Sequence, residues 1–86
     1  MRLDRYIGEH TGKYSIIENR NGGRIVNVGD PVDDFYVIKL KDRRSKATLL
    51  AYAAEAEKDG DLECAADVRR LASGAGVDHP HCKLPD

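Results

Sequence analysis

The sequence predicts an α+β fold: a three-stranded antiparallel sheet (a hairpin plus a third strand) packed against a C-terminal antiparallel helical hairpin. Three observations lead there. Residues 13–41 carry β-branched and aromatic runs separated by turn residues. Residues 42–74 carry alanine-rich helical periodicity, broken once at Gly60. All strand signals precede all helix signals, which is the order of an α+β chain and not of alternating βαβ units.

The elements follow in order. Residues 1–12 read as an arm. Leu3, Tyr6 and Ile7 fall at i, i+3 and i+4, but Gly8 and Gly12 limit any longer helix. Residues 13–19 (KYSIIEN) and 24–28 (RIVNV) have the composition strands prefer. Between them Arg20-Asn21-Gly22-Gly23 tolerates the positive φ that a tight hairpin needs. Gly29-Asp30-Pro31 ends the second strand. The run FYVIKLK (35–41) reads as the third strand, apolar on both faces. Its six-residue link is too short for a parallel crossover.

Asp42 is expected to cap a helix running to about Lys58. That helix carries two apolar stripes: Ala47, Leu50, Ala51 and Ala54 on one, and Leu49, Ala53 and Ala56 on the other. One small domain covers a single stripe, so a homodimer through Leu49, Ala53 and Ala56 is expected. Gly60 suits the left-handed position after the helix, and Asp61 suits the next N-cap. The second helix spans about Leu62 to Ser73, with Cys64, Val68, Leu71 and Ala72 expected inside. Residues 75–86 (AGVDHPHCKLPD) are expected to form an extended tail.

The chain has 86 residues, the length of one domain, read here as 1–86. A domain of this size buries only about 60% of its unfolded surface. Nine alanines, one phenylalanine and no tryptophan make the core shallow, so a partner, a dimer or a metal would add needed stability. No apolar run opens the sequence, so neither a signal peptide nor a membrane span is expected, and the cytoplasm is the expected location. Two cysteines are too few for a disulfide framework.

The net charge of −1 hides segregation. Residues 39–46 hold five basic groups against Asp42, whereas residues 53–86 hold eight acids against four bases. A chain without global positive excess does not coat nucleic acid, so direct nucleic-acid binding is not favoured. The basic run Lys39, Lys41, Arg43, Arg44 and Lys46 is the first candidate contact, for a phosphate or an acidic protein surface. Its cations oppose the dipole of the helix they precede, an arrangement that suggests service to a partner. The reading against it is a solvated strand end that discourages edge pairing. The acids Glu55, Glu57, Asp59 and Glu63 form a second candidate face, or else an ordinary solvated helix surface.

Other motifs carry less. Gly8-Glu-His-Thr-Gly12-Lys13-Tyr14 is one residue short of a phosphate loop, and Tyr14 stands where a magnesium-binding hydroxyl belongs. Cys64, His79, His81 and Cys82 offer zinc-type donors at a spacing that matches no standard site, so a metal is not favoured and no cofactor is expected. No histidine adjoins a nucleophile with a supporting third group, so the chain is not expected to be an enzyme.

The segments DDFYVIKLKD (33–42), LLAYAAEAEKDGDLECAADVRRLA (49–72) and HPHCKLPD (79–86) resemble small accessory proteins encoded by bacteriophages and prophages. The resemblance implies a setting in the host bacterial cytoplasm and a role as a stoichiometric inhibitor of a host protein or nucleoprotein complex, of anti-CRISPR or other anti-defence type. It transfers no site residues. The alternative is a binder of nucleotides or other phosphorylated ligands, with Tyr36 or Tyr52 stacking on a base. A second alternative is a zinc-stabilised regulatory module.

Overall fold

A computed structural model describes residues 14–20 and 22–84. The expected arm at 1–12 and the phosphate-loop motif, apart from Tyr14, lie outside the described residues, as does Asn21. The chain divides into two compact units, Met1–Val37 and Ile38–Asp86. The secondary structure is α+β, with a two-stranded antiparallel sheet and a packed pair of helices.

In the first unit, β1 (Ser15–Ile17) pairs with β2 (Ile25–Asn27), setting Ser15 opposite Asn27, Ile16 opposite Val26 and Ile17 opposite Ile25. The turn depends on Gly22 and Gly23, whose φ angles are +72° and +77°. Outside the strands, Glu18 N–H donates to the Arg24 carbonyl at 2.9 Å. The Ser15 hydroxyl donates to Asn27 Oδ1 at 2.7 Å and locks the open end of the pair. Val26 and Val28 are buried, while Ile16, Ile17 and Ile25 remain exposed.

The third strand does not form. Residues 34–39 adopt no regular structure, and among the described residues the sheet has two strands. Local side-chain bonds take over the preceding turn. Asp30 Oδ1 accepts from the N–H groups of Val32 and Asp33, and Asp34 Oδ1 accepts from Gly29 and Phe35. Such Asx bonding competes with ladder formation.

In the second unit, α1 (Ser45–Lys58) and α2 (Leu62–Ala72) pack against each other. The expected start of α1 is corrected. Asp42 does not cap it; Arg44 occupies the cap position with no side-chain cap bond. Asp42 instead holds a tight turn, accepting from Arg44 N–H through Oδ1 at 2.8 Å and from Ser45 N–H through its carbonyl at 2.9 Å. At the other end the chain leaves α1 through Gly60, at φ +80°. Asp61 caps α2, accepting from Cys64 N–H at 3.0 Å. Ala65 and Ala72 are buried on α2, and Cys64 and Val68 are partly buried. Leu71, expected inside, is 48% exposed.

The segment after α2 is not a free extended tail. Gly76–Asp78 forms a 3₁₀ turn that contacts α1. Beyond it Lys83 pairs in parallel with Asp42 as an isolated bridge. No helix among the described residues is long and apolar enough to cross a membrane.

Candidate functional site

The basic run does not lie on a strand. Its residues are set out along the entry to α1, and the backbone there is fixed from three directions. Lys83 N–H donates to the Lys41 carbonyl, and Arg43 N–H donates to the Lys83 carbonyl, both at 2.9 Å. Gly76 N–H donates to the Leu40 carbonyl at 2.9 Å. The Ser45 hydroxyl, fully buried, donates to that same carbonyl at 2.9 Å. The segment 40–45 is thus held by α1's first residue, by the 3₁₀ turn and by the C-terminal residues together.

Gly76 is what permits this convergence. Its φ is +62°, and a Cβ there would lie 2.9 Å from Lys46 Cβ and 3.2 Å from the Arg43 carbonyl oxygen. Only a residue without a side chain lets the turn approach the helix entry this closely.

The charges divide sharply. Lys46 is neutralised by Asp78. Lys58 pairs with Glu55 at 3.1 Å, Arg69 with Glu57 at 3.0 Å and Arg70 with Asp67 at 2.9 Å. Lys39 and Lys83 also have interactions of their own. Lys41, Arg43 and Arg44 have no ion-pair partner among the described residues. Arg43 and Arg44 are exposed, and Lys41 is half-buried. The first turn of α1 contains no acid to offset them. Two adjacent guanidinium groups, always charged and able to form bidentate bonds, therefore stand at a helix end whose partial positive charge adds to theirs. That combination attracts carboxylates and phosphates.

Half of the acidic candidate face is paired within the chain. Glu55 and Glu57 are paired as described, whereas Asp59 and Glu63 have no ion-pair partner among the described residues. The zinc-type donors are not gathered. Among the described residues no three His, Cys, Asp or Glu side chains are placed to hold a metal ion. Cys64 and Cys82 are unbridged. The His79 and His81 rings lie 5.9 Å apart, and His79 Nδ1 accepts the His81 backbone N–H at 3.0 Å. Tyr52, one candidate for stacking on a base, is exposed but lies eight residues along α1 from Arg44, about 12 Å of helix rise. Tyr36 belongs to the other unit and is likewise exposed.

A charged centre that sequence reasoning passed over sits in the first unit. The Arg24 guanidinium binds Glu18 at 2.8 Å, Asp30 at 2.8 Å and Asp33 at 2.7 Å. The Asp33 and Glu18 carboxylates hold its pKa above the ordinary arginine value. The backbone N–H groups of Asp33 and Val32, with help from Arg24, hold the Asp30 carboxyl below its ordinary range. The Arg24 guanidinium is fully engaged by these three carboxylates, which fixes the 29–34 turn. Spacing alone gave no signal for it, because Glu18 follows β1 whereas Asp30 and Asp33 lie in the turn after β2.

The dimer expectation is corrected in its residues. Ala53 and Ala56 are buried within the chain and Leu49 is partly buried, so the stripe expected at a subunit contact is used by the fold. The other stripe, Ala47, Leu50, Ala51 and Ala54, is exposed. No family model, curated protein or solved structure matches the chain.

Proposed function

We propose that this chain is a non-catalytic binding protein that occludes an anionic surface of another macromolecule through Arg43 and Arg44, with Lys41 beside them. One observation carries the reading: these three cations lack ion pairs among the described residues, while most others in the helical unit are neutralised. They sit on backbone held by bonds from distant parts of the chain. A pre-ordered contact loses less entropy on binding than a flexible one. The sequence resemblance supplies the setting, a phage-encoded accessory inhibitor of a host protein or nucleoprotein complex, of anti-CRISPR or other anti-defence type.

Affinity capture from bacterial lysate tests this. The unaltered chain should retain a partner, and the R43E/R44E double variant should lose it. The variant should be no less stable, because acids at a helix start gain roughly 0.3–1 kcal/mol from the dipole. Reversal at Asp59 and Glu63 should leave capture intact. Equal capture by R43E/R44E and the unaltered chain would remove the reading.

A further inference from the structure

We infer that the outward face of α1 is an interface with a second copy of this chain, packed antiparallel about a two-fold axis near Leu50 and Ala51. The helix carries apolar residues on two sides. Ser45, Leu49, Ala53 and Ala56 point inward, and Ala47, Leu50, Ala51 and Ala54 are exposed. At 100° per residue the two sets are centred roughly 150° apart. The first set is buried or partly buried within the chain, and the second is exposed. Leu50 is 43% exposed.

Charge says what covers this face. Within the chain Lys46 is paired with Asp78 and Glu57 with Arg69, and Glu55 only through an exposed i,i+3 pair with Lys58. Arg43 and Arg44 at the entry of α1 and Asp59 at its exit have no ion-pair partner among the described residues. Both ends oppose the helix dipole. An antiparallel copy sets each end against its opposite and relieves both. The register fits as well. Arg44 and Glu55 are eleven residues apart, three full turns, and so lie on the same flank of the apolar face. In an antiparallel pair centred between Leu50 and Ala51, like flanks meet. Arg44 then falls within about 3 Å of axial rise of Glu55 from the second copy, and the symmetry repeats the pair. A parallel pair would set base against base. Small side chains along the face let the axes approach to about 8 Å.

The helix has 14 residues, about 21 Å of length, and one such contact falls below the ~1,200 Å² of a standard interface. The dimer is therefore weak. The inference goes beyond the binding reading above and shares only Arg44 with it, so a second copy and an anionic target compete for that residue.

Sedimentation equilibrium at concentrations up to about 1 mM, high enough to populate a weak dimer, tests it. A monomer–dimer equilibrium is expected. Ala51→Glu should weaken it more than about tenfold, the loss of 1.4 kcal/mol or more, with helicity by circular dichroism unchanged. R44E and E55R should each weaken it several-fold, and the R44E/E55R double variant should restore it. Ala51→Glu should leave partner capture through Arg43 and Lys41 in place, so failure of the dimer and failure of the binding reading are read separately. A monomer at 1 mM, an unaffected Ala51→Glu variant, or a double variant weaker than either single one would overturn the inference, and a monomer would leave this face to a different protein.

Discussion

Replacing Gly76 with alanine should destabilise the helical unit far more than the same change at Gly60. Both glycines have positive φ, +62° and +80°. An alanine in the left-handed region costs about 1–2 kcal/mol. The reduced freedom of the unfolded chain offsets about 0.4–1 kcal/mol of that. Gly60→Ala should therefore cost roughly 1 kcal/mol, since nothing lies within 4 Å of its added Cβ. At Gly76 the Cβ meets Lys46 Cβ at 2.9 Å and the Arg43 carbonyl at 3.2 Å, against a normal carbon–carbon contact of about 3.5–4.0 Å. Neither neighbour is the far end of a flexible side chain. Relief requires moving the helix entry or stretching the Gly76 N–H bond to Leu40. Overpacking of this kind adds about 1–3 kcal/mol. A chain of this length has about 4–13 kcal/mol in all. The excess over Gly60→Ala corresponds to a melting temperature lower by about 5–20 °C. Thermal unfolding followed by helical circular dichroism measures both variants side by side. If they melt within about 2 °C of each other, the close approach of the 3₁₀ turn to α1 is not part of the native structure.

Two further outcomes follow from single bonds. Asp61→Ala removes the acceptor for Cys64 N–H and should cost about 1 kcal/mol in urea unfolding, with Asp61→Ser retaining most of it; an alanine variant as stable as the serine one would count against the cap. Asp30, held below its ordinary carboxylate pKa, favours the folded turn at pH values above the ordinary range, and that contribution disappears as pH falls through the lowered folded value. A carboxyl NMR titration should place it low, and Arg24→Gln should move it back only in part, because the Asp33 and Val32 N–H groups act more strongly than Arg24. Titration of Asp30 at its ordinary value would contradict this.

The parts of the fold legible in the sequence are those specified by neighbouring residues. The Lys58–Asp61 break needs only Gly60 and Asp61, which supply a left-handed exit and a cap within a few positions. The β-hairpin needs only its glycine turn and two short β-branched runs. The third strand failed for the opposite reason. Residues 35–41 have strand composition, but a strand exists only when another pairs with it, and composition names no partner. The Leu40 and Lys41 carbonyls went to Gly76, Ser45 and Lys83 instead. Both faces of α1 looked equally apolar, and only packing within the chain chose between them. Of the candidate site, the conflict of the basic run with the helix dipole could be read from the sequence. Its division into a neutralised Lys46 and unpaired Arg43 and Arg44 could not, because Asp78 lies 32 residues away in sequence.

That division has a physical consequence for how the site is held. Ionic contacts at an exposed helix end are weak and screened by salt, so they could not by themselves fix two arginines in place. The entry of α1 is fixed by other means: a buried hydroxyl, three cross-chain backbone bonds and a glycine that admits the turn. None of these involves the arginine side chains. The backbone beneath the two arginines is therefore held by bonds that salt does not screen. A chain that used Arg43 and Arg44 to stabilise itself would have an acid nearby, as Lys46, Arg69 and Arg70 do. Neutral bonds thus support the backbone here while the guanidinium groups stay unneutralised, which is the arrangement the proposed binding role requires.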